Sequence, residues 1–331
     1  MAIFENLKLD KGLYTSEKGF TQALESVDPS ENYIGTSLEG LDAYQRQLKR
    51  FDIHVNGKNS DSVEKFFKTS DSAALFPEYV NRAVVQGMRS VNQLDKLLAT
   101  TTMIDSLDYR SITTNDNHEV YNVNEGTHIP STTIKTKENL VKLHKRGRML
   151  VASYEAVRFQ RLDLFTVTLK QIGASIARAQ LADAVDVLMN GDGNRNNAQV
   201  IYPVGEKLNY EELIALWGKF DTFEMNTLVA PINMMTDILK IEEFRDAAAG
   251  LNFHATGKLI TPLGAELVRC DDIPNTSIIA MDRNCALEKV QAGEVTTDFD
   301  KLIDRQLERA AITSIAGFAK IYAEATKVLE V

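Results

Sequence analysis

The sequence predicts an α+β fold, and three features carry that prediction. One is a long run with apolar residues every three and four positions between Asp163 and Met189, closed by Asn190-Gly-Asp-Gly193. Another is an alternation of helical stretches and short apolar strands between residues 205 and 295. The third is a polar, turn-rich excursion over 103–150 that reads as a long two-stranded hairpin with too little apolar surface for its own core.

The long run comes first because the rest is organised around it. Leu162, Phe165, Leu169, Ile172, Ile176 and Ala179 fall on one helical face. Alanine is abundant from Gln171 onward and favours helix. Asp163 suits an N-cap, and Gly191 suits the left-handed residue that stops a helix. The segment Phe165-Thr-Val-Thr-Leu169 alternates like a strand, but the helical spacing continues past it for several turns. A helix of about 26 residues would span roughly 39 Å and serve as a spine.

Ahead of the spine, residues 1–69 are polar with scattered apolar positions and are expected to form an arm or appendage. Within them Leu38, Leu41, Tyr44 and Leu48 share one face of a short helix, and Asn56–Asp61 reads as a turn. Leu75-Phe-Pro-Glu-Tyr-Val80 opens a helix with Pro77 in its first turn and Tyr79, Val80, Ala83, Val84 and Met88 on its apolar face. A second helical stretch is expected over Val91–Leu98. In the hairpin, Ile104–Ile112 hints at strand, Val120–Val123 is a short strand, and Ser131–Lys137 alternates. After the spine, 193–204 is expected to be loop. Helices follow over Leu208–Phe220 and Ile232–Phe244, with strands at Thr227–Ala230, Leu267–Cys270, Ser277–Met281 and Ala286–Val290. The chain closes on a helix or strand return over Asp300–Tyr322.

Composition excludes several classes. The chain has 331 residues, 44% hydrophobic and 25% charged, as in a soluble globular protein. A net charge of −9 gives no basic field for nucleic acid. Cys270 and Cys285 make neither a disulfide framework nor a zinc cluster. No apolar run reaches membrane-spanning length, and the start lacks the basic flank and apolar core of a signal peptide.

No catalytic, cofactor-binding or metal residue emerges. Phosphate-binding, dinucleotide-binding, nucleophile-elbow and zinc-protease motifs are all missing from the sequence. His118 and His128 are too far apart to share a helical turn, and Cys270-Asp-Asp272 reads as a buried cysteine at a strand end. Asn190, Asp192, Asn194 and Asn196 mimic the rhythm of a calcium loop. Arg195 and Ile201 then stand where that loop needs glycine and glutamate, so a helix stop followed by a turn is expected. The basic run Lys142–Arg148 lacks adjacent aromatics and reads as a subunit contact or a solvated loop.

The order of these elements resembles the major capsid proteins of tailed phages, with the Hong Kong 97-type fold. The resemblance covers roughly residues 70–331 and is sharpest where the spine runs into Asn190-Gly-Asp-Gly193 behind a long hairpin. It implies 1–69 as an N-terminal arm or scaffold-like segment. It implies a peripheral domain from 70–102 and 151–204 with a C-terminal return over 296–331, an extended loop over 103–150, and an axial domain over 205–295. The implied role is structural rather than enzymatic: a self-assembling icosahedral shell of a tailed double-stranded DNA phage or prophage. The partners would be other copies in hexamers and pentamers, DNA packaged without sequence specificity, and scaffolding protein, portal and maturation protease. No cofactor or membrane is implied. The location would be the virion, assembled in the host bacterial cytoplasm. Some family members cross-link a loop lysine to a neighbour, for which Lys135 and Lys137 are available here. An encapsulin-type compartment shares this fold, and a soluble α/β enzyme is the alternative of a different class.

Overall fold

The computed structural model describes residues 7–9, 11–14, 19–91, 93–114, 122–129, 131–203, 208–245, 260–302 and 307–331. Helices α1 (Gly19–Val27), α2 (Ala43–Arg50), α3 (Ser70–Ala73) and α4 (Phe76–Ser90) come first. Strands β1 (Thr100–Ile104), β2 (Ile112–Thr114), β3 (Ile134–Thr136) and β4 (Leu143–Ser153) lead to α5 (Tyr154–Phe159) and the spine α6 (Leu162–Asn190). Then follow β5 (Gln199–Ile201), α7 (Tyr210–Trp217), β6 (Thr227–Ala230), α8 (Ile232–Lys240) and α9 (Glu242–Arg245). Strands β7 (Glu266–Arg269), β8 (Ser277–Met281), β9 (Leu287–Ala292), β10 (Thr296–Leu302), β11 (Leu307–Lys320) and β12 (Thr326–Glu330) complete the chain. They form two compact units, one from 1–91, 147–176 and 295–314, the other from 92–146, 177–294 and 315–331.

In the first unit the N-terminal stretch contributes to the core, which corrects the expectation of an arm or appendage over 1–69. Phe20, Leu24, Tyr44, Leu48, Ile53, Val63 and Phe66 are buried with Phe76, Tyr79, Val80 and Val84 of α4 and Leu162, Phe165, Leu169 and Ile172 of α6. These apolar residues are scattered among polar ones, so no single window looked like a core. Polar groups complete the packing. Arg46 is fully buried, with Nε 2.9 Å from Asp28 Oδ2, Nη1 donating to Leu41 O at 2.7 Å, and its plane over the Tyr33 ring. Arg82 of α4 bonds Asp42 at 2.7 Å, Glu78 at 2.8 Å and Thr21 at 2.9 Å, tying the N-terminal helices to α4. Asp42 also caps α2 in a reciprocal box with Gln45.

Two helical glycines let α4 and α6 meet backbone to backbone. A Cβ at Gly87 would run into the Lys170 carbonyl, and one at Gly173 into the Val84 carbonyl. The helical reading of the spine holds against the strand-like segment, and Gly191 ends it at φ +79°. Its start differs by a residue. The helix begins at Leu162, and the Asp163 carboxylate takes the Leu164 amide at 2.8 Å from within the first turn. Among the described residues of Val91–Leu98, the helical part is a short 3-10 turn at Leu94–Lys96.

The second unit is built on a five-stranded sheet in the order β5-β12-β8-β6-β7. Its central strands are buried on both faces. Val229, Val268, Ile279 and Val328 point to one face, where Leu181, Val185 and Leu188 of α6 pack. Leu228, Leu267, Ile278 and Leu329 point to the other, under Leu216 of α7 and Met235 and Ile238 of α8. The alternation of neighbours between the two clusters is the period-two geometry of a strand. Strand β5 lies in the stretch expected as loop, and β12 pairs with β8 and β5 rather than returning to the other unit. Both miss because three- and five-residue strands take their place from distant partners. Of the expected helix or strand return over Asp300–Tyr322, Asp300–Leu302 belongs to β10 and Leu307–Lys320 is the strand β11. Its first half pairs with β10 (Thr296↔Thr313) and its second with β9 (Ala316↔Gln291), which in turn pairs in parallel with β1.

Candidate functional site

A dense polar network lies at the root of the hairpin, wholly in the second unit. Strands β2 and β3 pair antiparallel in the register Ile112↔Thr136. The expected strand at Val120–Val123 lies partly outside the described residues, as does His118, while Asn122 and Val123 are not strand. Ile112, Val123, Ile129 and Ile134 are exposed, so among the described residues the distal hairpin buries almost nothing of its own.

At the root the picture reverses. Glu288 of β9 is buried and takes hydroxyl bonds from Thr102 (2.6 Å), Tyr109 (2.7 Å) and Ser111 (2.6 Å). Burial first, and then the Glu288 carboxylate, push the Tyr109 hydroxyl above its usual range. On the other strand Lys137 is 6% exposed and Asp192 is 3% exposed at the side chain, with Nζ 3.0 Å from Oδ2. Lys137 Nζ also donates to the Lys320 carbonyl. Asp192 Oδ2 takes the Lys320 amide at 3.1 Å, and Oδ1 takes Asn194 Nδ2 at 2.9 Å. Asn139 reaches the same loop through Asn194 Oδ1 at 3.0 Å and the Gly193 carbonyl at 2.7 Å.

Burial alone would raise the Asp192 carboxyl, but Asn194, Lys137 and the Lys320 amide outweigh it and hold it below the usual carboxylate range. Lys320 is the opposite case. Its ammonium, fully buried against the Leu188 carbonyl at 3.0 Å, is pushed down to about 8 by burial.

These contacts explain the calcium-like rhythm of Asn190–Asn196. The side-chain oxygens of the loop turn to separate donors: Asp192 takes Lys137 Nζ, Asn194 takes the Asn139 amide, and Asn196 takes the Asp192 amide. Among the described residues no group of three or more His, Cys, Asp or Glu is placed to hold a metal ion. Lys137, offered by the sequence as free for cross-linking, is committed here, whereas Lys135 is exposed. Cys270 is buried, and burial raises its thiol to about 11, which suits packing rather than nucleophilic chemistry. From Leu143 to Arg148 the basic run is strand rather than loop. Arg146 forms a two-bond pair with Asp183 of α6, His144 lies 3.2 Å from the same carboxylate, and Lys142, Lys145 and Arg148 stay exposed. The sequence reading missed Glu288 and Asp192 as partners, because nothing in a lone carboxylate signals which distant hydroxyl or ammonium it meets.

Several large apolar side chains outside the hairpin are also left uncovered. In the first unit these are Met149, Val151, Phe159, Leu164 and Val167, and in the second Ile214, Trp217, Ile232 and Leu239. Among the described residues no helix is long and apolar enough to cross a membrane.

Comparison with known proteins gives a consistent answer. A family model described as phage capsid protein matches residues 136–314, more than half of the chain. No curated protein matches it. Among solved structures, the chain is similar to the virus-like particle from Pyrococcus furiosus, with a TM-score of 0.52 and 13% identity over 77% of this chain and 99% of that one. It is similar to the capsid of Cyanophage P-SCSP1u, with a TM-score of 0.50 and 12% identity over 72% and 87%. It is also similar to the SrpI encapsulin from Synechococcus elongatus, with a TM-score of 0.50 and 14% identity over 73% and 88%. At these identities the likeness is one of fold.

Proposed function

Because the chain belongs to the phage capsid protein family and has the Hong Kong 97-type capsid fold, we propose that it is the major subunit of an icosahedral shell enclosing double-stranded DNA. The observation that carries this reading is the pairing of a firmly rooted hairpin with an uncovered distal part. A 331-residue chain that builds two well-filled cores nevertheless leaves Ile112, Val123, Ile129 and Ile134 in solvent on one projecting element. Other copies of the chain are the surface that covers them. In this reading 103–150 is the extended loop, the first unit is the peripheral domain, and the sheet carrying α7 and α8 is the axial domain. Residues 19–68 are then a folded layer of the peripheral domain. The other partners are DNA bound without sequence specificity, and a scaffolding protein, portal and maturation protease. Assembly takes place in the host cytoplasm.

A second reading has specific support. The fold is as similar to an encapsulin as to a cyanophage capsid. Contents separate the two. Particles purified from producing cells and treated with nuclease should retain protected DNA if the shell is viral. Particles holding a protein cargo and no DNA would reject the viral reading in favour of the compartment.

A further inference from the structure

The hairpin changes character over one residue on each strand. At the root, Lys137 N donates to Ser111 O and Val141 N to Tyr109 O, both at 2.8 Å, and Glu288 and Asp192 flank this pair of strands as buried acceptors. One step outward, β2 and β3 pair through three residues each, all exposed except the half-buried Thr114. None of the described residues from 122 to 129 is buried.

A short polar pair of strands specifies its register weakly, since a slip exposes nothing and buries nothing. A buried ion pair adds little net stability, yet it can fix register because a wrong partner leaves a charge unmatched. Here a slip of one residue on the 137 side would set Thr136 or Glu138 against Asp192, losing the ammonium or adding a like charge. A slip on the 111 side would remove a hydroxyl from Glu288.

We propose that Asp192 and Glu288 are positioning residues for assembly. Together they clasp the root of the hairpin, set its register and direction, and place the pivot immediately beyond Ser111 and Lys137. The clasp then holds 103–111 and 137–146 to the second unit, and leaves β2 and β3 beyond it outside that constraint when a neighbour is met. The consequence for assembly rests on the shell reading; the clasp itself does not.

Hydrogen exchange on the dissociated wild-type subunit tests the clasp directly. The amides of Lys137 and Val141 are expected to exchange far more slowly than those of Thr113 and Lys135, the next hydrogen-bonded pair of the ladder. In Asp192→Asn, and separately in Glu288→Gln, root amides should lose about tenfold or more in protection, the scale of one charged hydrogen bond. Amides of β8 should stay unchanged, showing that the sheet is intact. Particle yield from both variants should fall. Equal exchange at root and tip in the wild type would overturn the proposal, even if both variants failed to fold. So would variants that keep root protection or assemble at wild-type yield. If the wild-type chain forms no particles at all, the shell reading fails, while the exchange pattern still decides whether the clasp exists.

Discussion

Gly87 and Gly173 show how single residues set the packing of the first unit. Both lie in helices, where glycine normally costs about 1 kcal/mol relative to alanine. On propensity alone Gly173→Ala should therefore stabilise the protein. The added methyl would instead meet the Val84 carbonyl and, at 2.9 Å, the Met88 amide, both backbone atoms of α4 that cannot turn aside. We predict destabilisation by about 2 kcal/mol or more, at the scale of overpacking in a close-packed core, measured as a lower urea midpoint. A higher midpoint would mean that the helices do not touch at this crossing. Lys320 gives a second residue-scale prediction. Burial lowers its ammonium from 10.5 to about 8, with Asp192 and Glu324 opposing the shift. Between about pH 8 and 10 the unfolded chain therefore binds the extra proton, so stability should rise with pH across that window and level off below it. Subtracting the unfolding free energy of Lys320→Met from that of the wild type should isolate this slope. A difference that is flat from pH 8 to 10 would show that Lys320 is not held in an apolar site.

At the scale of elements, the N-terminal layer and the hairpin should respond oppositely to removal. Residues 19–68 supply Phe20, Leu24, Tyr44, Leu48, Val63 and Phe66 to the core of α4 and α6. Truncation of residues 1–68 would also strip Asp42 and Thr21 from Arg82. We predict that this truncation yields insoluble or unfolded protein by circular dichroism; a soluble, cooperatively folded product would restore these residues to the status of a detachable arm. Among the described residues, replacing 112–136 with a short Gly-Ser linker removes only exposed large apolar side chains and should leave the fold intact, as expected where few buried contacts are lost. The same deletion should abolish stable shells, because a contact repeated at every subunit multiplies its loss. Normal shells from the deletion would remove the hairpin from the interface. The contrast also shows what the sequence made legible. The spine, α4 with Pro77, β6, and the strand at Ser277–Met281 were readable because each is a local pattern: a period, a first-turn proline, or an apolar run. The core role of 19–68, the three-residue strand β5 and the sheet partners of β12 were not readable, because each depends on contacts with residues far away in sequence. The hairpin root falls between the two. Asn190-Gly-Asp-Gly193 was visible as a helix stop, but its use as a receptor for Lys137 and Asn139 depends on the return of a strand some 50 residues earlier.

For the whole molecule, two filled cores account for folding, and the surface accounts for function. Trp217 and Ile214 on α7, Met149 and Val151 on β4, and the hairpin isoleucines are exposed on an otherwise acidic chain of net charge −9. An isolated subunit would keep these groups in water; in the proposed shell, copies of the chain would cover them. A net negative charge opposes association at low ionic strength, and salt screens that repulsion over about 10 Å at 0.1 M. Assembly should accordingly be favoured as salt increases, driven by apolar contacts that screening leaves intact. Electron microscopy of the purified full-length protein, taken together with light scattering across concentration and salt, tests this most directly. Closed particles of uniform diameter, or rings of five and six subunits that convert to them, are the expected result. A species that stays monomeric at every concentration and salt tested would contradict the account.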